Sequence, residues 1–269
     1  MNKFGGSWTK QKLNVLEKYL NFYMTALKNQ KFKKIYIDCF AGSGKIEFAD
    51  EAVINGSATI ALDIDNKFDE YYFIERNPEN YHELIKLKEK YPDIKMNFYN
   101  EDCNITLPKI INSIDWRNCR GVLFIDPYAT QLKFSTLRTV ASSKAIDVWY
   151  LFPYSAVNRM LKKDKDISDA WKHVLNRCFG DTSWEEALYI ESQQLSFFDE
   201  PEYNKASSDQ IQKYIYEKMK EVFPYVSEKK LILRNAKNSP LFILLLLISN
   251  DSVKAINLVK KVENYIIKN

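Results

Sequence analysis

The sequence predicts an α/β fold around a mostly parallel sheet, and three observations support that prediction. Five short apolar segments rich in β-branched and aromatic residues alternate with segments that can form helices. Residues 122–125 are apolar at every position, as is typical of a strand that helices cover on both faces. Two apolar segments near the end of the chain, 229–234 and 241–249, are joined by so short a turn that they must pair antiparallel.

An amphipathic helix is expected to open the chain. From about residue 9 to residue 28, leucines such as Leu13, Leu16 and Leu20 recur at three- and four-residue steps, and Thr9 is a suitable cap. The alternating segments follow, with strands predicted at 34–40, 71–75, 96–99, 121–126 and 145–153 and helices at 57–64, 80–90, 107–114 and 135–142. This order of elements indicates right-handed crossover connections within one sheet.

The alternation stops after residue 153. A helical, charge-rich stretch at 155–178 and a polar segment at 192–208 interrupt it, and a helix at 209–222, the two antiparallel strands and a closing helix that ends near residue 267 complete the chain. We therefore expect one sheet of seven strands with a C-terminal antiparallel hairpin. The predicted organisation is an N-terminal helix with the main part of the sheet at 1–153, a helical insertion at 154–208, and the end of the core at 209–269.

Composition narrows the function classes. The formal net charge of the 269 residues is only +4, so a nucleic-acid surface can be a local patch but not a property of the whole chain. The sequence shows no apolar stretch of about eighteen residues and no cleavable leader, so we expect a cytoplasmic protein without membrane contact. The four cysteines are far apart and there are two histidines, so neither a structural zinc site nor another metal site is expected.

A glycine-containing loop follows the first predicted strand. Asp38 lies near the end of the strand, and Phe40, Ala41, Gly42 and Gly44 follow it. The two glycines have no Cβ, so the backbone can turn sharply and approach a ligand closely. Loops at the carboxyl end of the first parallel strand lie where open α/β sheets bind ligands. The spacing matches neither a phosphate-binding loop nor the dinucleotide fingerprint, and an ordinary strand-to-helix turn is the alternative.

Acidic residues end the next two predicted strands. Glu75 ends the second strand, where a carboxylate can accept hydrogen bonds from both hydroxyl groups of a ribose, and Asp102 follows the third, where it could accept one from an adenine amino group. Acids at strand ends are often only solvated, which is the alternative for Asp102 in particular. Because the carboxyl ends of parallel strands meet at one edge, the sequence predicts that these acids and the glycine loop enclose one ligand.

Asp126, Pro127 and Tyr128 end the fourth predicted strand. The proline stops the strand and fixes the backbone, which leaves the Asp126 carboxylate facing the cleft. Tyr128 offers a flat face for a planar base. The alternative is an ordinary strand-ending turn with a packed tyrosine.

Together these residues resemble the motifs of class I S-adenosylmethionine-dependent methyltransferases, which have a Rossmann-like fold. Segment 38–44 resembles the first motif in its D-x-F-x-G-x-G form, and Glu75 and Asp102 match the second and third acidic positions. Segment 126–128 resembles the fourth motif, [D/N]-P-P-[Y/F], of enzymes that methylate exocyclic amino groups. The resemblance implies that Asp126, Pro127 and Tyr128 position the amino group of a nucleobase in DNA or RNA. It implies S-adenosylmethionine as the cofactor, held by Asp38, Phe40, Ala41, Gly42, Gly44, Glu75 and Asp102.

The chain has a closer resemblance to the three-Cys-motif partner protein family (TcmP). The similar segments are 8–13 (WTKQKL), 36–44 (YIDCFAGSG), 56–58 (GSA), 126–128 (DPY), 147–153 (DVWYLFP) and 158–161 (NRML). The resemblance implies a bacterial or phage-borne methyltransferase-like protein, encoded beside a cysteine-motif partner that looks like a radical enzyme. Three hypotheses follow: a nucleobase methyltransferase, a catalytically inactive or accessory subunit of that partner, and a nuclease or effector component with the same core.

One departure from the fourth motif bears on the chemistry. The chain has Asp-Pro-Tyr-Ala where the motif has two prolines, so the backbone of Tyr128 or the side chain of Gln131 must complete the geometry around the amino group. Lys12 is a candidate partner for the methionine carboxylate, with an exposed helix lysine as the alternative. Arg159 is a candidate for substrate or phosphate contact, with a structural ion pair as the alternative. The insertion at 154–208 is either a surface that recognises substrate or partner or a solvated helical face. The acceptor molecule and the oligomeric state stay open.

Overall fold

The computed structural model of the chain describes residues 7–47, 53–191 and 203–267. Its helices are α1 (Ser7–Ala26), α2 (Ser57–Asp63), α3 (Pro78–Ile85), α4 (Leu87–Lys90), α5 (Cys103–Ser113), α6 (Phe134–Ser142), α7 (Tyr154–Met160), α8 (Asp169–Phe179), α9 (Trp184–Ala187), α10 (Ser208–Lys220) and α11 (Val253–Ile266). Its strands are β1 (Lys33–Asp38), β2 (Lys45–Glu47), β3 (Val53–Asn55), β4 (Glu70–Ile74), β5 (Met96–Tyr99), β6 (Cys119–Ile125), β7 (Ile146–Phe152), β8 (Tyr189–Glu191), β9 (Tyr203–Lys205), β10 (Tyr225–Val226), β11 (Leu231–Arg234) and β12 (Pro240–Ile248). Among these described helices, none is long and apolar enough to cross a bilayer.

The central sheet of the described residues has the order β10-β12-β7-β6-β1-β4-β5, and β11 also pairs with β12. β1, β4, β5, β6 and β7 are parallel, whereas β12 runs antiparallel to β7. β10 and β11 pair with successive parts of β12, on the side away from β7, so together they fill the last of seven strand positions. The predicted α/β fold, with its mostly parallel sheet and C-terminal antiparallel hairpin, is confirmed.

The sheet separates two hydrophobic cores. In β6, Leu123 and Ile125 belong to the first core and Val122 and Phe124 to the second, because successive side chains of a strand point to opposite faces. Helices α5, α6, α8 and α10 pack in the first core, and α1, α2 and α11 pack in the second. Burial on both faces explains why the sequence of a central strand is a continuous apolar run.

Helix α1 crosses the second face antiparallel to the parallel strands. Near its amino end, the Lys12 ammonium contacts the Asp126 carboxylate, which directly follows β6. Two turns later, Tyr19 Oη donates to Asp147 Oδ2 at 2.6 Å, at the start of β7. The first turns of α1 therefore lie at the carboxyl edge of the sheet.

Residues after β7 contribute to the first core. Leu175 and Phe179 of α8 and Trp184 of α9 are buried there, beside residues of α5 and α6. Gly180 ends α8 with φ 87°, and a Cβ at this position would lie 2.4 Å from Phe134 Cδ1. α8 therefore approaches the start of α6 closely. β8 and β9 form a separate antiparallel pair, and the 192–202 part of the predicted insertion lies outside the described residues.

Some local predictions differ from the structure. The helical stretch predicted at 155–178 is two helices, α7 and α8, and the segment between them includes Lys165 in a left-handed conformation with φ 60°. α3 and α5 begin earlier than predicted, because the side chains of Asn77 and Asp102 accept hydrogen bonds from their first turns. The antiparallel pair of β2 and β3 after the glycine loop is absent from the predictions, since its three-residue strands are too short to show a periodic pattern.

Candidate functional site

A cavity of about 530 Å³ opens at the carboxyl ends of β1, β4, β5 and β6. The sheet order places these strands side by side, so the residues that end them meet at one edge. Six of the residues predicted for the site line the cavity: Phe40, Glu75, Asp102, Asp126, Tyr128 and Gln131. The other lining residues are Cys39, Arg76, Asn77, Asn80, Glu101, Cys103 and Asn104.

The two glycines of the loop after β1 have different surroundings. Gly42 has φ 60°, its N–H donates to Glu75 Oε2 at 2.9 Å, and a Cβ at this position would meet no atom within 4 Å. Gly44 has φ 79°, and its carbonyl accepts a hydrogen bond from Thr59 Oγ1 at 2.6 Å. A Cβ on Gly44 would approach that hydroxyl oxygen to 3.2 Å. Gly44 is thus packed against α2 and Ala41 is buried in the second core, whereas Gly42 adjoins open space.

Asp38 is fully buried behind the loop and is not a lining residue of the cavity. Its carboxylate accepts hydrogen bonds from Phe40 N and Tyr36 Oη, both at 3.3 Å. Burial raises the pKa of Asp38 to about 7, the hydrogen bonds from the Ser57 side chain and Phe40 N lower it, and the charge of Asp126 raises it. The buried Asp38 carboxylate therefore stabilises the conformation of the loop through its hydrogen bond from Phe40 N.

Both strand-end acids retain hydrogen-bonding capacity at the cavity. The two carboxylate oxygens of Glu75 each accept one backbone hydrogen bond, from the glycine loop at 2.9 Å and from Asn77 N at 2.7 Å. Asp102 Oδ1 accepts from Asn104 N at 2.8 Å, and Oδ2 lies 3.4 Å from an Arg76 guanidinium nitrogen. Because a carboxylate has about four acceptor positions, both acids can accept further hydrogen bonds from a ligand.

Asp126 forms an ion pair with Lys12, through its Oδ2 atom. The Lys12 side chain is 6% exposed and the Asp126 side chain 25%, so the pair is largely shielded from solvent. The Lys12 ammonium also lies 5.1 Å from the centre of the Trp8 ring. The sequence suggested the methionine carboxylate of the cofactor as the partner of Lys12. In the structure its partner is the Asp126 carboxylate.

Tyr128 is 66% exposed at the mouth of the cavity, whereas Pro127 before it is buried. Ala129 follows with φ 54°, a left-handed conformation that turns the chain away after the tyrosine. The ring therefore belongs to neither of the two hydrophobic cores. Arg159 is exposed on α7 and is not a lining residue of the cavity.

Several lining residues have no part in the predicted site, namely Arg76, Asn77, Asn80, Glu101 and Asn104. Asn77 could have been found, because an Asn-Pro pair directly after a strand is a signal for a helix start. The other four carry no such signal, since the side of a turn that faces a cavity depends on tertiary packing.

Four acidic side chains line the cavity. Glu75, Glu101, Asp102 and Asp126 contribute carboxylates, and among the described lining residues Arg76 contributes the one guanidinium. Three of the four carboxylates have a basic partner, which is Lys109 for Glu101 at 3.8 Å, Arg76 for Asp102 at 3.4 Å and Lys12 for Asp126, so most of the negative charge of the wall is compensated.

Comparisons with known proteins bear on the fold. No protein-family model matches the chain, and no curated protein matches its sequence. Among solved structures, LPL1258 from Legionella pneumophila is similar with a TM-score of 0.51 and 14% identity, over 95% of this chain and 92% of that one. The putative methyltransferase yhhF from Escherichia coli gives a TM-score of 0.35 and 13% identity over 71% and 85% of the two chains. The N-terminal domain of EvdMO1 with SAH bound gives 0.42 and 8% over 87% and 80%. At this identity, the likeness to LPL1258 establishes the α/β fold alone.

Proposed function

We propose that the chain is an S-adenosylmethionine-dependent methyltransferase that acts on an exocyclic amino group of a nucleobase in DNA or RNA. The supporting observation is one cavity in which the acids that follow β4 and β5 meet the Asp126-Pro127-Tyr128 turn after β6.

In this proposal, the residues around the first two strand ends hold the cofactor. Glu75 accepts hydrogen bonds from the ribose hydroxyls and Asp102 accepts one from the adenine amino group. Phe40 lines the cavity and contacts the cofactor directly. Gly42 is not a lining residue, but a Cβ there would point into open space, so the loop leaves room for the cofactor. Asp38, Ala41 and Gly44 act indirectly, because they hold the loop in shape. When bound, the cofactor supplies an electrophilic methyl group, and the protein supplies orientation and electrostatics.

The turn after β6 orients the acceptor. An exocyclic amine reacts through the nitrogen lone pair, so its two hydrogens must be directed away from the methyl group. Asp126 accepts one hydrogen, and the backbone of Pro127 or Tyr128, or the side chain of Gln131, accepts the other. The exposed Tyr128 ring stacks on the base. Such alignment accounts for a rate factor of about 100 or more.

Lys12 compensates the negative charge of the Asp126 carboxylate. Its ammonium engages Oδ2 of Asp126, so a substrate amine donates to Oδ1. The neutral ion pair receives a neutral amine without leaving an unpaired charge in a partly buried position. Lys12 therefore stays in place when the acceptor binds.

The same ion pair favours a second candidate function, a catalytically inactive or accessory subunit of a cysteine-motif partner protein. If Lys12 withholds Asp126 from any amine, the chain binds the cofactor without methyl transfer. The exposed rim around Tyr128 then serves contact with the partner protein.

Calorimetric titration with S-adenosylmethionine, followed by a tritium-transfer screen over DNA, RNA and free nucleotides, tests the proposal. We expect saturable binding and label in one class of nucleic acid. Absence of binding refutes the cofactor assignment. Binding without transfer to any acceptor, together with capture of a cysteine-motif partner, supports the accessory role.

Three variants separate the assigned roles. Glu75→Ala should weaken cofactor binding by about 10-fold or more, since a ribose loses its acceptor. Asp126→Asn should leave cofactor affinity within about 3-fold and reduce transfer by about 100-fold or more. Asp93→Asn, an exposed acid before β5 at the opposite edge of the sheet, is the matched control and should change neither. Full activity in Asp126→Asn contradicts the role of Asp126.

A further inference from the structure

The side chain of Asn104, in the first turn of α5, joins two parts of the site. Its Nδ2 donates to Asp102 Oδ1 at 2.9 Å and to Gln131 O at 3.0 Å. Its Oδ1 accepts from Lys133 N at 2.8 Å and from Thr136 Oγ1 at 3.0 Å. An asparagine side chain has two donor hydrogens and two acceptor lone pairs, so its full capacity is used.

Two of these contacts fall on residues 126–133, here termed the acceptor loop, which carries Asp126 and Tyr128. The loop lies between β6 and α6 and contains no helix or strand of its own. Ala129 has a left-handed φ of 54°, which an alanine adopts at a cost and keeps when its surroundings impose it. The loop therefore depends on side chains from elsewhere for its shape.

The acceptor loop is supported from two sides. On the side of α8, Arg177 Nη2 donates to Thr130 O at 3.1 Å. On the side of α5, Asn104 contacts Gln131 O and Lys133 N. The α6 helix has no side-chain cap hydrogen bond from Lys133, so the Asn104 contacts also tie the start of α6 to α5.

We propose that Asn104 is a positioning residue that holds the acceptor loop, and with it Asp126 and Tyr128, at a fixed distance from Asp102. The inference rests on the proposed function, in which Asp102 belongs to the cofactor half of the site and Asp126 to the acceptor half. The Asn104 side chain donates hydrogen bonds to Asp102 and to the backbone of the acceptor loop. It makes up for the rigidity that a second proline would give to the turn after β6.

The role predicts a specific pattern of effects. Methyl transfer requires the nucleophile and the methyl group to be aligned within a fraction of an ångström, so a loosened loop lowers kcat. Asp102 keeps its hydrogen bond from the Asn104 backbone N–H in any variant of the side chain, so cofactor affinity should change little. A loss of kcat without a loss of cofactor affinity is the expected signature.

Asn104→Ala and a matched control, Asn112→Ala on the exposed side of the same helix, test the proposal. The first measurement is amide hydrogen exchange, which needs no catalytic activity. We expect exchange of the Lys133 amide to become about 10-fold faster in Asn104→Ala and to stay unchanged in Asn112→Ala. The second measurement uses the nucleic acid that accepts label in the screen: kcat should fall by about 10-fold or more, with the S-adenosylmethionine Kd within about 3-fold.

Asn104→Asp is the second variant, and it decides the matter if the alanine variant does not fold. It keeps the acceptors for Lys133 N and Thr136 Oγ1 and loses the donors to Asp102 and Gln131, so Lys133 should stay protected while kcat falls. Unchanged Lys133 exchange in Asn104→Ala, or faster exchange spread evenly over the whole molecule, overturns the proposal. If the wild-type chain transfers no methyl group, the proposed function fails. The amide exchange measurement still decides whether Asn104 stabilises the conformation of the acceptor loop.

Discussion

Replacement of Asp38 by asparagine should change how the stability of the fold depends on pH. Burial raises the pKa of Asp38 to about 7 in the folded chain, against the ordinary value of 3.8. Between these two values the folded state binds the proton more tightly than the unfolded state does. The free energy of unfolding therefore falls as the pH rises from 3.8 to 7, by about 1.4 kcal/mol per pH unit for this one group. Over the whole interval the loss reaches up to about 4 kcal/mol.

Asparagine has nearly the same shape and no charge, so Asp38→Asn should lack this loss. We expect the variant to be more stable than the wild-type chain by about 2 kcal/mol at pH 5 and by about 4 kcal/mol at pH 8. Urea denaturation at pH 5, 6, 7 and 8 measures the difference, with the exposed-acid variant Asp65→Asn as control. An equal difference between Asp38→Asn and wild type at pH 5 and at pH 8 refutes the reasoning.

Three further predictions concern the loop, the ion pair and the opposite edge of the sheet. Gly44→Ala should lower the free energy of unfolding by about 2 kcal/mol, because φ is 79° and a Cβ would be crowded at 3.2 Å. Gly42→Ala should cost about 1 kcal/mol and mainly weaken S-adenosylmethionine binding in calorimetry; equal effects of the two changes would contradict this division. Lys12→Met should lower the free energy of unfolding in urea by about 1–3 kcal/mol, since Asp126 loses its partner in a shielded position, and unchanged stability would show that the pair contributes nothing. Burial alone would raise the pKa of Glu70, but hydrogen bonds from two lysines and an asparagine lower it to about 2. Its contribution to stability is therefore present above pH 4.5 and lost as the pH falls toward 2, and Glu70→Gln should remove that slope in urea denaturation; parallel profiles would count against it.

The fold was predictable because its signals are local in the chain. Segment 122–125 is apolar at every position, and the strand that contains it is covered on both faces. The short turn at 235–239 allows only antiparallel pairing of β11 with β12, and the structure shows that pairing. Helix starts were predicted less well. Asn77 and Asp102 cap α3 and α5 through side-chain oxygens that accept backbone hydrogen bonds, and hydrophobic periodicity carries no signal for such caps.

The position of the site was predictable to the extent that topology determines it. Parallel strands present their carboxyl ends at one edge, so Glu75, Asp102 and Asp126 were expected to lie together, and the structure places them in one cavity. The partner of Lys12 could not be predicted, since it depends on how far α1 extends over that edge. The hydrogen bonds that connect Asn104 to the acceptor loop and to α6 could not be predicted either, because those partners lie 27 to 32 positions away in the chain.

The division of the interior by the sheet affects how the chain can diverge. Leu107 of α5 and Leu62 of α2 are buried in different hydrophobic cores, on opposite faces of the sheet. Substitutions in one compartment can accumulate in a lineage without forcing compensation in the other, and the energetic effects of one change in each should add. Relatives of this chain are therefore expected to show two sets of co-varying apolar positions, one for each side of the sheet.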